Sequence, residues 1–178
     1  MSRPRPTQAE LAAAVDKQID DVIAPGLRIL FVGINPGLWS GATGRHFARP
    51  GNRFWRAIHE AGLTPELLTP DRQDELLRHG IGVTNLVRRT TTTAAQLTAD
   101  EIRAGRQAIV NKVVRFEPEK VAFLGVSTYR VAFDRPKAVV GRQADRIGAS
   151  EIWVLPNPSG LNAHYQLPQL IESYRDLL

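Results

Sequence analysis

Two short segments hold the residues with the clearest chemical potential. Gly33-Ile34-Asn35-Pro36-Gly37 and Pro156-Asn157-Pro158-Ser159-Gly160-Leu161-Asn162 each set asparagine among glycines and prolines. Proline fixes φ and glycine lets a second chain approach closely, so such a stretch can hold a side-chain amide on a defined backbone path. Either segment alone is also ordinary turn chemistry. A carboxamide offers one carbonyl acceptor and two N–H donors but no charge. It can orient a water molecule or the edge of a base, and it cannot usefully take a proton. Neither segment contains a strong nucleophile. The chain has no cysteine, which excludes thiol catalysis, disulfides, cysteine-ligated zinc and iron–sulfur clusters. Its four histidines, His46, His59, His79 and His164, show no HExxH spacing, so neither a catalytic metal nor a cofactor is expected. No GxxxxGK[ST] or GxSxG motif occurs, and Gly33 to Gly37 followed by Leu38-Trp39 does not fit GxGxxG.

Lys and Arg number 23 against 18 Asp and Glu, a net charge of +5. That excess suits a polyanionic partner, although a solvated surface alone would account for it equally well. At 178 residues, with 43% hydrophobic and 23% charged residues, the chain has the size and composition of one globular domain. Its apolar runs are too short to span a bilayer, and its N-terminus lacks the apolar stretch of a secretory signal. A cytoplasmic monomer with no membrane contact is the expectation, nucleoid-associated if the source is bacterial.

The elements that must position these segments follow from periodicity. Arg28 to Gly33 is a continuous apolar run between Pro25-Gly26 and Asn35-Pro36-Gly37, the pattern of a strand buried on both faces. Similar runs occupy Ile81 to Leu86, Val121 to Leu124 and Ile152 to Leu155. A helix is predicted from Thr7, with Leu11, Val15, Ile19 and Val22 on one face. Further helices are predicted over Asn52 to Ala61, Asp71 to Arg78, from Thr98 through Val113, Ser127 to Phe133, and Leu167 to Leu177. Asn52 is read as a cap and Trp55 as a packing residue. Thr90 to Thr93 reads as a solvated loop. Strands alternating with helices imply βαβ units. The predicted fold is α/β: residues 1–6 a flexible basic arm, and 7–178 a single three-layer α/β/α domain on a mainly parallel four-stranded sheet. Ligands in such sheets gather beyond the carboxyl ends of the strands, where both asparagine segments fall.

Four segments together, Leu30 to Gly37 (LFVGINPG), Gly44 to Trp55 (GRHFARPGNRFW), Gly82 to Val87 (GVTNLV) and Trp153 to Leu161 (WVLPNPSGL), resemble the mismatch-specific uracil/thymine-DNA glycosylases of the uracil-DNA glycosylase superfamily. The similarity is ordered and extends from about Ile23 to Leu177. It implies a DNA glycosylase that flips a base from double-stranded DNA containing a mismatched or damaged pair and hydrolyses its N-glycosidic bond, initiating base excision repair. Uracil, especially opposite guanine, is the implied substrate, with ethenocytosine and weak thymine activity also open. Asn35 matches the asparagine that positions the attacking water. Gly33, Ile34, Ser40, Phe47 and Asn157 fall in the implied base pocket, with Phe47 stacking on the flipped pyrimidine. Gly160, Leu161 and Asn162 match the wedge that enters the duplex, where an apolar side chain offsets part of the cost of flipping.

Departures from the pattern bear on substrate range. Some relatives carry arginine after the wedge, whereas Ala163-His164 follows here. The wider superfamily often has His-Pro-Ser where this chain has Asn157-Pro158-Ser159. Asn85 occupies a position that is charged in some relatives, and it suits either a DNA or water contact or a buried structural amide. No lysine lies in either asparagine segment, so a monofunctional enzyme without a Schiff-base step is expected. The alternative reading is a DNA-binding module of the same fold with little or no catalysis.

Overall fold

A computed structural model describes residues 4–178, so Met1, Ser2 and Arg3 of the expected basic arm lie outside the described residues. The centre is a five-stranded sheet of order β2-β1-β3-β5-β4, with β1 Ile29–Gly33, β2 Ile81–Asn85, β3 Lys120–Leu124, β4 Gly141–Ile147 and β5 Ser150–Leu155. The first three and β5 run parallel, as their apolar runs predict, while β4 pairs antiparallel with β5.

Side chains alternate across the sheet as strand geometry requires. Ile29 and Phe31 of β1 enter one core with Ile81, Val83, Ala122 and Leu124. Leu30 and Val32 enter the opposite core with Val121, Phe123, Ile152 and Val154. The first core is covered by α3 (Phe54–Glu60), α6 (Leu167–Arg175) and a 3₁₀ segment, Pro70–His79. The second is covered by α4 (Ala99–Phe116) and α5 (Val126–Phe133). A three-layer α/β/α sandwich results. Each fully buried large side chain in it, such as Phe31, contributes about 1.5–3 kcal/mol from burial.

The fifth strand corrects the four-stranded expectation. Gly141–Ile147 reads GRQADRI, and only Ile147 of it is buried. An edge strand with one covered face shows no apolar run, and its arginines guard the open edge. Arg142 and Arg146 both approach Glu151 on β5. A second departure lies near the N-terminus. The capping box of Thr7 and Glu10 opens α1, but the helix spans only Gln8–Ala12. Asp16 turns left-handed at φ 62°, Val15 is exposed, and Ile19 and Val22 are buried instead through an extended segment that bridges Val22 to Val83. Backbone hydrogen bonds from Asp16 to Thr90 and from Thr90 to Lys17 outcompete the helical register. A short helix that the periodicity does not reveal, α2 (Leu38–Thr43), follows the Asn35 segment directly.

Candidate functional site

Parallel register brings the exits of β1, β2, β3 and β5 to one edge of the sheet: Gly33 lies beside Asn85, and Leu124 beside Leu155. A cavity of about 320 Å³ opens there. Gly33, Ile34, Asn35, Ser40, Phe47, Asn85, Asn157 and Leu161 all line it, so residues up to 128 positions apart in sequence share one wall. Gly160 and Asn162 belong to the adjoining loop but do not line the cavity.

Asn35 is fixed by partners that the sequence did not suggest. Its Nδ2 donates to the Arg89 carbonyl at 2.9 Å and to Thr91 Oγ1 at 2.7 Å, with a longer contact to the Pro36 carbonyl at 3.3 Å. Thr91 Oγ1 gives its own proton to the Thr93 carbonyl at 2.8 Å, which leaves it an acceptor for Asn35. Carbonyls only accept, so the amide orientation follows from the network. Both Nδ2 hydrogens are engaged. Asn35 Oδ1 has no hydrogen bond among the described residues and is the atom available to a ligand in the cavity.

The segment Thr90 to Thr93 is therefore not the solvated loop expected. Thr90 and Thr91 are buried, and Thr91 pairs with Gly37 as a parallel bridge. A run of polar residues gave no sign of burial, because hydroxyls count as polar whether they face water or satisfy a neighbour. Only the threonines at 92 and 93 are exposed.

On the opposite flank, His46 is 2% exposed, and its Nε2 meets the Asp20 carbonyl at 2.9 Å. That carbonyl requires the proton on Nε2, so Nδ1 is left to accept from Asn85 Nδ2 at 3.4 Å. Burial pushes the His46 pKa below its ordinary value, overcoming the hydrogen bond to Asp20 and the charge of Asp21, so the neutral ring is the resting form. Asn85 is thus a buried amide held by a histidine on the cavity wall.

Close approach at Gly33 is what lets this wall form. A Cβ there would lie 2.7 Å from Asn85 Oδ1 and 3.6 Å from the Phe47 ring. Phe47 itself takes a left-handed backbone with φ 51° and stacks on Phe54 at a centroid distance of 4.0 Å. An aromatic residue in that conformation is strained, and such strain is tolerated where the surroundings hold it. Phe54 is fully buried and anchors it. Ser40 Oγ accepts from the Ala48 N–H at 3.4 Å, tying α2 to the Phe47 segment. The N-cap position of α3 is Arg53 rather than the expected Asn52, which lies one residue earlier and whose Oδ1 accepts from the Phe54 N–H at 2.9 Å; Trp55 is buried.

After β5, the loop folds on its own amides. Asn157 Oδ1 accepts from the Ser159 N–H at 3.0 Å, and Asn162 Nδ2 donates to the Asn157 carbonyl at 3.0 Å. Asn162 Oδ1 accepts from the His164 N–H at 3.2 Å, so this side chain is occupied within the loop. Leu161 is 67% exposed, an apolar side chain presented at the rim of the cavity. Among the described residues no group of three or more His, Cys, Asp or Glu is placed to hold a metal ion. Nor is any helix long and apolar enough to cross a membrane.

Fold and site together define an α/β protein with an amide-lined cleft at the carboxyl edge of a parallel sheet. Residues 21–178 match the family model of the uracil DNA glycosylase superfamily, and the chain belongs to that superfamily. Among solved structures, a solution NMR structure from Methanosarcina acetivorans, provisionally described as a uracil DNA glycosylase, superposes with a TM-score of 0.61. It shares 19% sequence identity, and the match covers 92% of this chain and 98% of that one, a likeness of fold.

Proposed function

We propose that this protein is a monofunctional DNA glycosylase of the mismatch-specific uracil/thymine type, acting on uracil in duplex DNA and foremost on uracil opposite guanine. The observation that carries the reading is the orientation of Asn35. With both Nδ2 hydrogens held by Arg89 and Thr91, Oδ1 can accept a hydrogen bond from a water molecule in the cavity. That water's oxygen bonds to C1′ of an everted nucleotide as the bond from C1′ to the base nitrogen breaks. The base leaves with the electron pair, and the water's proton passes to solvent, since an amide does not take it. Departure of the base creates an oxocarbenium-like sugar, which a weakly activated water can capture.

Uracil leaves as an anion, so N–H donors aimed at its oxygens lower the barrier. The backbone N–H groups of Asn35 and Phe47, both residues of the cavity wall, have no hydrogen-bond partner among the described residues and suit this role. Phe47, already braced by Phe54, offers a ring for stacking, and Ser40 and Asn157 complete the pocket. Leu161 serves as the wedge that fills the gap in the duplex, its exposure matching a side chain that must leave water for the base stack.

The test is incubation with a U:G duplex followed by alkaline cleavage of abasic sites. Strand scission at the uracil supports the reading, and intact strands in every uracil context overturn it. Asn35→Ala should abolish scission while duplex affinity stays within about threefold, because the substitution removes no charge.

A further inference from the structure

The loop that presents Leu161 has no regular secondary structure; Tyr174 of α6 donates to the carbonyl of its first residue, Pro156, at 3.2 Å, and from Pro158 onward Arg53 holds it. Arg53 sits at the cap of α3, next to the buried pair Phe54 and Trp55. Its guanidinium donates to four backbone carbonyls of that loop, those of Pro158, Ser159, Asn162 and Tyr165. Its backbone N–H adds a fifth bond, to Pro158 at 3.0 Å. The loop lies directly on this segment: a Cβ at Gly160 would come within 2.8 Å of the Gly51 carbonyl. No carboxylate within salt-bridge reach neutralises Arg53 among the described residues, so its donors are committed to the loop backbone.

We infer that Arg53 is a positioning residue for base flipping, clasping the loop from Pro158 to Tyr165 so that Leu161 is presented in one fixed orientation before DNA arrives. The inference rests on the wedge role proposed for Leu161. Inserting a side chain into a base stack rewards a loop already ordered, because ordering it during binding would subtract from the gain. A rigid planar fork can serve four carbonyls spread over eight residues, whereas a lysine ammonium has three donors on a single atom and cannot span them. Arg53 touches neither base nor sugar in this arrangement; it acts through Leu161.

The test is a double-mutant cycle on the full-length protein. Single-turnover cleavage of a U:G duplex is measured for the parent, Arg53→Gln, Leu161→Ala and the double variant. Arg53→Gln should lower the rate at least about tenfold, from the loss of several charge-assisted hydrogen bonds. In the Leu161→Ala background the same substitution should cost less than about threefold, because a loop without a wedge has nothing left to position. Equal cost in both backgrounds would overturn the inference. It would mean that Arg53 acts on the pocket or on global stability rather than through the wedge.

Amide hydrogen exchange supplies a readout independent of activity. Residues 159–165 should lose protection in Arg53→Gln while β1 and β3 keep theirs, and unchanged protection in that loop would refute the clasp. Arg53→Lys, which keeps the charge, should show an intermediate loss in both measurements if Arg53→Gln does not fold. A parent protein that releases no uracil would defeat the proposed function, whereas the exchange experiment would still decide whether Arg53 orders the loop.

Discussion

Replacing Thr91 by valine tests the water-positioning scheme more sharply than removing Asn35 itself. Valine has nearly the shape of threonine, so a side chain only 2% exposed is replaced without a void. What disappears is Oγ1, which accepts from Asn35 Nδ2 at 2.7 Å and donates to the Thr93 carbonyl at 2.8 Å. One of the two short anchors on the Asn35 amide is lost, while the bond to the Arg89 carbonyl at 2.9 Å remains. A neutral hydrogen bond contributes a net 0.5–1.5 kcal/mol, roughly, and an unsatisfied donor adds about 1–3 kcal/mol. Since the cavity supplies water to part of that donor, about 1–2 kcal/mol is expected to reach the barrier, a rate lower by about fivefold to thirtyfold. Single-turnover cleavage of a U:G duplex measures it directly, with duplex affinity measured in parallel and expected to change little. Thr91→Ser keeps the hydroxyl and should cleave within about twofold of the parent, on the same hydrogen-bond argument. A valine variant with the parent's rate, or a serine variant as impaired as valine, would show that the network from Thr93 through Thr91 does not set the Asn35 amide.

Two further outcomes follow from the same wall. Gly33→Ala places a methyl group 2.7 Å from Asn85 Oδ1 and against Phe47, so it should reduce cleavage at least about tenfold at a stability cost of about 1–3 kcal/mol. Urea denaturation and single-turnover rates on the same sample separate these effects, and an unaltered rate would show that Asn85 and Phe47 need not hold their places. His46 predicts a pH dependence of stability. Its folded pKa lies below the ordinary value of 6.5 because the buried ring resists charging, so below that pH the unfolded chain binds a proton that the native one refuses. Stability should be full above about pH 7 and fall as pH drops through 6.5 towards the folded value, and His46→Gln should flatten that segment of a Tm profile. Glu101 acts in a separate window. Arg89 holds its pKa down to about 2 from 4.5, so its contribution is lost only between those two values as pH falls. Identical Tm profiles for the parent and His46→Gln between pH 7 and 5 would remove His46 from this account.

The candidate site residues were legible because their types are unusual for their places. Asn35 and Asn157 interrupt strand ends with glycine and proline around them, and the four parallel strands announce themselves as short runs buried on both faces. Gly80 as a left-handed terminator likewise follows from a local rule that needs no distant partner. Resemblance in four ordered segments added the candidate roles of Ser40, Phe47 and Leu161, which spacing alone would have left as an ordinary pocket serine, core aromatic and surface leucine.

Long-range contacts decided the rest. Thr91 is 56 residues from Asn35, and no local pattern distinguishes it from the exposed Thr92 and Thr93; its pairing with the Pro36-Gly37 backbone brings its hydroxyl to the Asn35 amide as a partner rather than a solvated group. Nothing local sets Arg53 apart from the other arginines; its role depends on carbonyls of a loop 105 to 112 residues away. The edge strand β4 has no apolar signature because only its pairing with β5, not burial of both faces, makes it a strand. Sequence by itself determined which residues can do chemistry and which runs must be buried, since both are properties of residue type and short-range spacing. Tertiary structure alone decided which amide atom faces the cavity, because that depends on acceptors delivered by a different strand exit through the parallel register of β1 and β2.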